Sequence, residues 1–459
     1  KASQGIEGEG TERSIAFCDM AIRRPDEVTV VEDASRHPVF MHYPQVTGPD
    51  HLRFYAGAPM VAPGGHALGT VCVVDTEPRD LSPTERDGLR ALARLTGLPL
   101  TGGNAVQVLS APEAFEVMIR AVETATESVY LCTYIFGNDA AGQRMVAALS
   151  AACQRGIRVR VLVDGMGLLY SFPTIRRRLR QQGIPHARFL YSWAPWRMPY
   201  MNMRNHRKIL VVDRRLGFTG GMNLRAGYLL HPPAMHDLHF QVSGPVVGHL
   251  LHSVATDWYF STGELLDDAY RGPAVAGKVL ARGISAGPDA DFEKRRLTLL
   301  AAVGRAEREI RIMTPYFVPD QSLQMALYLA RLRGVRVRIL LPERNNLRIV
   351  HWASLHVVPW LVEKGCEVSL SAGPFDHGKL MTVDGSWSMV GSGNWDARSL
   401  RLNFEFDMEC YDEQLAAELN RCFDIREANA RQLDHDLLAG WPVLRRVGHA
   451  LAHMLEPYL

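Results

Sequence analysis

Residues 205–213 read Asn205-His206-Arg207-Lys208-Ile209-Leu210-Val211-Val212-Asp213, and the stretch closes at Gly220-Gly221-Met222-Asn223. The same frame returns as His377-Gly378-Lys379-Leu380-Met381-Thr382-Val383-Asp384, closing at Gly391-Ser392-Gly393-Asn394. Both obey His-x-Lys, four residues, Asp, six residues, Gly-[Gly/Ser]-x-Asn. Only six of the chain's 51 basic residues are lysines, so one chance match is on the order of one in tens of thousands. Two matches are a duplication.

The spacing carries chemistry. His and Lys two apart on a strand point to one face. The apolar run after each Lys buries that strand, Asp213 and Asp384 anchor the turn that follows, and the next strand returns Asn to the same rim. Gly220, Gly221 and Gly391 complete the return. Each copy thus supplies an imidazole, an ammonium and an amide. Two facing copies suit in-line displacement at phosphorus, in which one histidine attacks and the other protonates the leaving oxygen. Lysines and asparagines would bind the non-bridging oxygens.

The duplication extends outward. Residues 121–136 (AVETATESVYLCTYIF) match 302–317 (AVGRAEREIRIMTPYF), and Arg155 to Leu162 matches Arg333 to Leu340, at offsets of 181 and 178 against 171 for the motifs. The drift implies insertions in the first copy, and so long a period implies two duplicated domains. Phe115, Met118, Ile119 and Val122 recur on one face of a helix, followed by a strand-like run to Phe136, a helix ending at Arg155-Gly156 and a strand from Ile157 to Val163. This alternation predicts an α/β sandwich. The Gly-, Ala-, Pro- and Asp-rich stretch from Leu265 to Asp291 reads as the seam.

Composition bounds the class. The 459 residues are 47% hydrophobic and 22% charged with net charge +2, which excludes a disordered or collagenous chain and gives no footprint for a dedicated nucleic-acid binder. Seven scattered cysteines without a CxxC pair fit a reducing compartment and predict no metal site. No apolar run reaches a membrane-spanning length. The chain opens on Lys1 without Met or a signal-like segment, which reads as a fragment or a trimmed product.

The doubled motif resembles that of the phospholipase D superfamily over roughly residues 105–459. The resemblance implies two duplicated α/β/α sandwich halves, 98–272 and 273–459, around a pseudo-twofold active site that works without metal or cofactor through a phosphohistidine. His206 would then be the nucleophile and His377 the general acid, with Lys208, Lys379, Asn223, Asn394 and Ser392 on the phosphate. The flanks are similar to bacterial cardiolipin synthases: NHRKILVVDRRLGFTGGMNL, His236 to Phe240, Arg398 to Glu405 and Glu456 to Leu459. Asp237 lies 31 residues past His206 and Glu405 lies 28 past His377, and acids at such places in the family accept the Nδ1 proton. Gly221 departs from the Ser that the superfamily often carries, and the family's N-terminal membrane helices are replaced here. In their place, residues 1–97 resemble a partial GAF domain of α+β type through SIAFCDMAI, VVEDASRHPVF, LRFYAGAPM and LGTVCVVDTEPRDLS.

The expected activity is phosphatidyl transfer from phosphatidylglycerol to make cardiolipin. The alternatives are hydrolysis to phosphatidic acid, a metal-independent nuclease, or a GAF-based sensor. The expected partners are a phospholipid substrate and a membrane surface met peripherally, on the cytoplasmic side of a bacterial inner membrane, with no nucleic acid and no oligomeric state assigned. Phe189, Leu190, Tyr191, Trp193, Trp196, Met198, Tyr200, Met201 and Met203, interleaved with Arg188, Arg197 and Arg204, suit an anionic lipid interface. Arg176 to Arg180 reads as a solvated helix face. Leu444, Val447, Leu451 and Leu455 against Arg445, Arg446 and His449 read as an amphipathic helix docking on the core.

Overall fold

The duplication in the sequence becomes a near-symmetric sheet. The computed structural model describes residues 16–24, 27–61, 67–83, 85–86, 89, 93, 98–190, 202–229, 235–266, 269–289 and 291–455. The chain divides into two units, 1–99 and 100–459. In the first, β1 (Thr29–Val31), β2 (Phe54–Val61) and β3 (Ala67–Asp75) form an antiparallel sheet in the order β1-β2-β3. Phe17, Phe40, Tyr43 and Tyr55 stack over it, with the Phe17 and Phe40 ring centroids 4.5 Å apart.

The second unit opens with β4 (Thr101–Ser110), β5 (Ser128–Thr133), β6 (Arg158–Asp164), β7 (His186–Phe189), β8 (Arg204–Asn205), β9 (Ile209–Val212), β10 (Leu216–Gly220), β11 (Met235–His236) and β12 (Leu238–Ser243). It continues with β13 (Val279–Ala286), β14 (Glu309–Met313), β15 (Arg336–Pro342), β16 (Glu367–Ser371), β17 (Phe375–Asp376), β18 (Leu380–Val383), β19 (Trp387–Gly391), β20 (Asn403–Tyr411) and β21 (Arg431–Leu433). One half runs β4-β12-β10-β9-β5-β6-β7 and the other β13-β20-β19-β18-β14-β15-β16-β21, joined by antiparallel pairing of β13 with β4. The motif strands β9 and β18 therefore hold equivalent places.

Helix Ala111–Glu123 starts at a capping box of Ser110 and Glu113 and buries Phe115, Met118, Ile119 and Val122 against the sheet. Helix Ala140–Gln154 ends at Gly156, whose φ of 83° is the left-handed conformation that glycine adopts without strain. Strands β6 and β15 bury the apolar positions of the repeated Arg-rich run.

Three expectations are corrected. The seam is only partly a connection, because 279–286 within it is β13, a central strand paired on both sides. Phe189 does not reach toward lipid: it is buried, 5.0 Å from the Phe404 ring and 5.4 Å from Phe260, because β7 covers the end of the sheet. Residues 191–201, which carry most of that aromatic segment, and 456–459 lie outside the described residues. The C-terminal helix Val443–His453 docks the other way round: Ala452 and His449 are buried, while Leu444, Val447, Leu451 and Leu455 are exposed. Its narrow face, with His449 and Ala452, packs on helix Arg348–Glu363, where His449 lies against the Trp352 ring at 6.4 Å. The Arg176–Gln181 helix keeps Arg177, Arg178 and Arg180 exposed, leaves Arg176 half-buried and buries Leu179.

Candidate active site

Each motif histidine stands on an arm that crosses to the other half. Strand β8 pairs in parallel with β20, Asn205 opposite Phe404, and the His206 amide donates to the Phe404 carbonyl at 2.8 Å. This lays the His206 ring beside Glu405, with Nδ1 3.0 Å from both carboxylate oxygens. The second arm mirrors it. Strand β17 pairs in parallel with β11, the His377 amide donates to the His236 carbonyl at 2.7 Å, and His377 Nδ1 lies 2.8 Å from Asp237 Oδ2. Counted along the sequence, each acid follows the histidine of its own copy; in the fold it holds the histidine of the other. A carboxylate on Nδ1 leaves Nε2 as the working atom of each ring.

The lysines complete both arms. Lys208 Nζ donates to the His206 carbonyl at 2.5 Å and Lys379 Nζ to the His377 carbonyl at 2.6 Å. Burial pushes Lys208 down to about 7 and Lys379 to about 8, while Glu405 and Asp237 act on both to hold the charge. Lys208 also sits in the repelling field of Lys379.

The two dyads differ in how the acid is held. Glu405 is fully buried and accepts from four groups: His206 Nδ1, Ser392 Oγ at 2.5 Å, Ser399 Oγ at 2.8 Å and Asn403 Nδ2 at 3.2 Å. Burial works to raise its pKa, but His206, Lys208 and Ser392 outweigh that and hold it at about 2. Burial drives Asp237 up to about 7, against Lys379 and a single backbone donor, Leu238. Burial also depresses both imidazoles: His206 falls to about 3 despite Glu405, and His377, further repelled by Lys379 and Lys208, lies well below its ordinary value. At the motif offset, Gly221 and Tyr228 stand where the second copy has Ser392 and Ser399. A Cβ on Gly221 would lie 2.4 Å from Asp237 Oδ1, so the first copy has no room for the serine.

The Ser392 hydroxyl donates to the Glu405 carboxylate and accepts the Phe406 amide at 3.0 Å. Asn223 Oδ1 accepts the Ile135 amide at 3.2 Å. Asn394 is buried, 3.4 Å from Ser399 Oγ through one end of its amide, with the other end unpartnered. Asp213 takes the amides of Thr126, Glu127 and Ser128, and Asp384 those of Glu307, Arg308 and Glu309, each clamping the entry to the neighbouring strand. Gly220 and Gly391, at φ of 149° and 157°, face His239 and Asp407 backbone where a Cβ would come within 2.9 Å and 2.5 Å.

The doubled sheet has counterparts among known proteins. The fold of 81% of this chain superposes on 99% of the phosphatidylserine synthase of Haemophilus influenzae Rd KW20 at a TM-score of 0.65 and 15% identity, a likeness of fold. The family described as "Cardiolipin synthase, PLD-like domain" matches residues 118–233 and 299–426, and the GAF domain family matches 2–100. "Cardiolipin synthase A" of Pseudomonas putida (strain GB-1) is 34% identical over 379 residues, covering 81% of this chain and 78% of that protein. "Cardiolipin synthase" of Geobacillus sp. (strain WCH70) is 32% identical over 397 residues, covering 83% and 78%. The chain belongs to the phospholipase D-like cardiolipin synthase family. It is a phospholipase D-superfamily phosphatidyltransferase.

Sequence reasoning missed several groups around this family's site. Arg207, the variable residue inside the first motif, is buried and bridges Asp257 at 2.5 Å, Ser285 Oγ at 2.6 Å and the Glu405 carbonyl at 3.2 Å. Asp257 also takes Asn205 Nδ2 at 2.7 Å, and Asp164 accepts the Asn205 amide at 2.8 Å, so the His206 arm is fixed from three sides. Tyr134 lies edge-on to His206 at 4.9 Å, and Tyr316 to His377 at 6.1 Å. None of these carries a local pattern that could have marked it. Among the described residues no helix is long and apolar enough to cross a membrane.

Proposed function

We propose that the crossed dyads carry phosphatidyl transfer from phosphatidylglycerol, with His206 as nucleophile and His377 as acid and then base. The asymmetry of the two carboxylates supports the assignment. Glu405, anionic across the working range, holds the His206 Nδ1 proton and leaves Nε2 with its lone pair. The His377–Asp237 dyad, with its acid drawn up to about 7, carries an extra proton below that pH. Whichever partner formally holds it, Nε2 then bears hydrogen and can donate.

His206 Nε2 attacks phosphorus and the P–O bond to the leaving glycerol breaks, that oxygen taking the His377 proton. His377 then removes the proton from the hydroxyl of a second phosphatidylglycerol, whose oxygen displaces His206 and yields the diphosphatidyl product. Lys208 and Lys379 neutralise the non-bridging oxygens. Incubation with phosphatidylglycerol vesicles should release glycerol and form cardiolipin, read by lipid mass spectrometry. Phosphatidic acid as the sole product would make water the acceptor, and no product of either kind would end the reading.

The activity should fall as pH rises. The dyad's proton and both ammonium charges are needed, and all are lost between about 7 and about 8, so kcat/KM should decline across that interval. In kcat the decline should move to higher pH, because a bound phosphodiester favours the charged lysines. Removing two donors in the double variant Ser392→Ala/Ser399→Ala should raise the Glu405 pKa and shift the acid limb toward neutrality. An equal loss at every pH would reduce the serines to packing.

A further inference from the structure

The C-terminal helix presents to solvent the face that its pattern marks as apolar. Leu444 is 86% exposed, Val447 49%, Leu451 59% and Met454 74%, a stripe at helical spacing. Arg445 and Arg446 lie exposed beside it, and Leu347, Ile349 and Trp352 of the supporting helix continue the surface with Arg344 and Arg348. Single exposed apolar residues are ordinary, but a continuous row edged by cations is not.

This surface adjoins the site. Ala452 packs in one cluster with Tyr316, Val350 and Phe375, and Tyr316 and Phe375 both lie against His377, at 6.1 and 5.8 Å. On the other side, Leu169, Tyr170 and Phe172 are exposed, Phe172 at 98%, and Tyr170 meets Tyr134 at 6.0 Å, which in turn meets His206. One rim of the site, beside His377, and the other, beside His206, are thus both apolar.

We propose that this face docks on an anionic lipid bilayer, with Leu444, Val447 and Leu451 inserted below the headgroups, Arg445 and Arg446 on lipid phosphates, and Phe172 reaching in from the opposite rim. The inference deepens the lipid reading of the site and rests on it. One feature selects a bilayer over a second copy of the chain. An apolar helix face with arginine beside it matches the interfacial layer, where tails take the stripe and phosphates the guanidinium groups. Docking there would set the site at the depth of the phosphodiester.

Co-sedimentation of the full chain with vesicles of phosphatidylcholine mixed with phosphatidylglycerol tests this. The triple variant Leu444→Glu/Val447→Glu/Leu451→Glu should bind about tenfold or more weakly. Arg445→Glu/Arg446→Glu should lose the preference for mixed vesicles over phosphatidylcholine alone. Both variants should retain turnover of a short-chain phosphatidylglycerol below its micelle concentration, which reports an intact fold. Unchanged sedimentation of the triple variant would overturn the proposal. So would a wild-type dimer in light scattering that the triple variant dissociates while vesicle binding persists. Sedimentation needs no catalysis, so failure of transfer alone would strike the functional reading and leave the docking result standing.

Discussion

His206→Ala should abolish lipid turnover, by on the order of 10⁴-fold or more, since no other group can form the covalent intermediate. His377→Ala should cost about 10²–10⁴-fold on phosphatidylglycerol, the usual span for general acid–base catalysis. The two separate on a phosphodiester with a nitrophenolate leaving group, which departs without a proton. On that substrate His377→Ala should still give a burst of nitrophenolate as the phosphohistidine forms, then stall because the acceptor lacks its base. His206→Ala should give no burst. A burst from His206→Ala with silence from His377→Ala would reverse the roles. The near symmetry of the two arms makes this comparison necessary, and the unequal support of Glu405 and Asp237 fixes its expected direction.

The largest effect on stability should come from Asp257→Ala. The change leaves the Arg207 guanidinium buried without its carboxylate, both side chains being at most 5% exposed, and also strips a partner from Asn205. Stranding a buried charge costs about 3–5 kcal/mol, which for a unit this large lowers the thermal midpoint by only a few degrees and is better read from a denaturant midpoint. The double change Arg207→Met/Asp257→Leu should recover much of the loss, because it removes both charges together. A double variant as unstable as the sum of the singles would show that the pair is not coupled.

How much could be read from the chain alone differs by element. The two His-x-Lys frames were legible because they are local: period-two geometry puts both side chains on one face, and the apolar runs Ile209 to Val212 and Leu380 to Val383 bury their strands. The helix Ala111–Glu123 was legible from its periodicity. Strand β13 was not, since the Gly and Ala of 279–286 look like a linker until β4 and β20 pair with it. The outward stripe at 443–455 was not either. An amphipathic pattern says that a helix has an apolar face, and only its packing on helix Arg348–Glu363 decides that the face with His449 and Ala452 goes inward.

Spacing along the chain was enough to establish a duplicated α/β protein with two imidazole–ammonium–amide sets, because those features depend on neighbours a few residues apart. Which carboxylate serves which histidine was settled by the exchange of arms, β8 onto β20 and β17 onto β11, a pairing between positions nearly 200 and 140 residues apart. Long-range strand pairing depends on the closure of the whole sheet and not on any local pattern, so the chemistry's symmetry was written in sequence while its asymmetry arose in three dimensions.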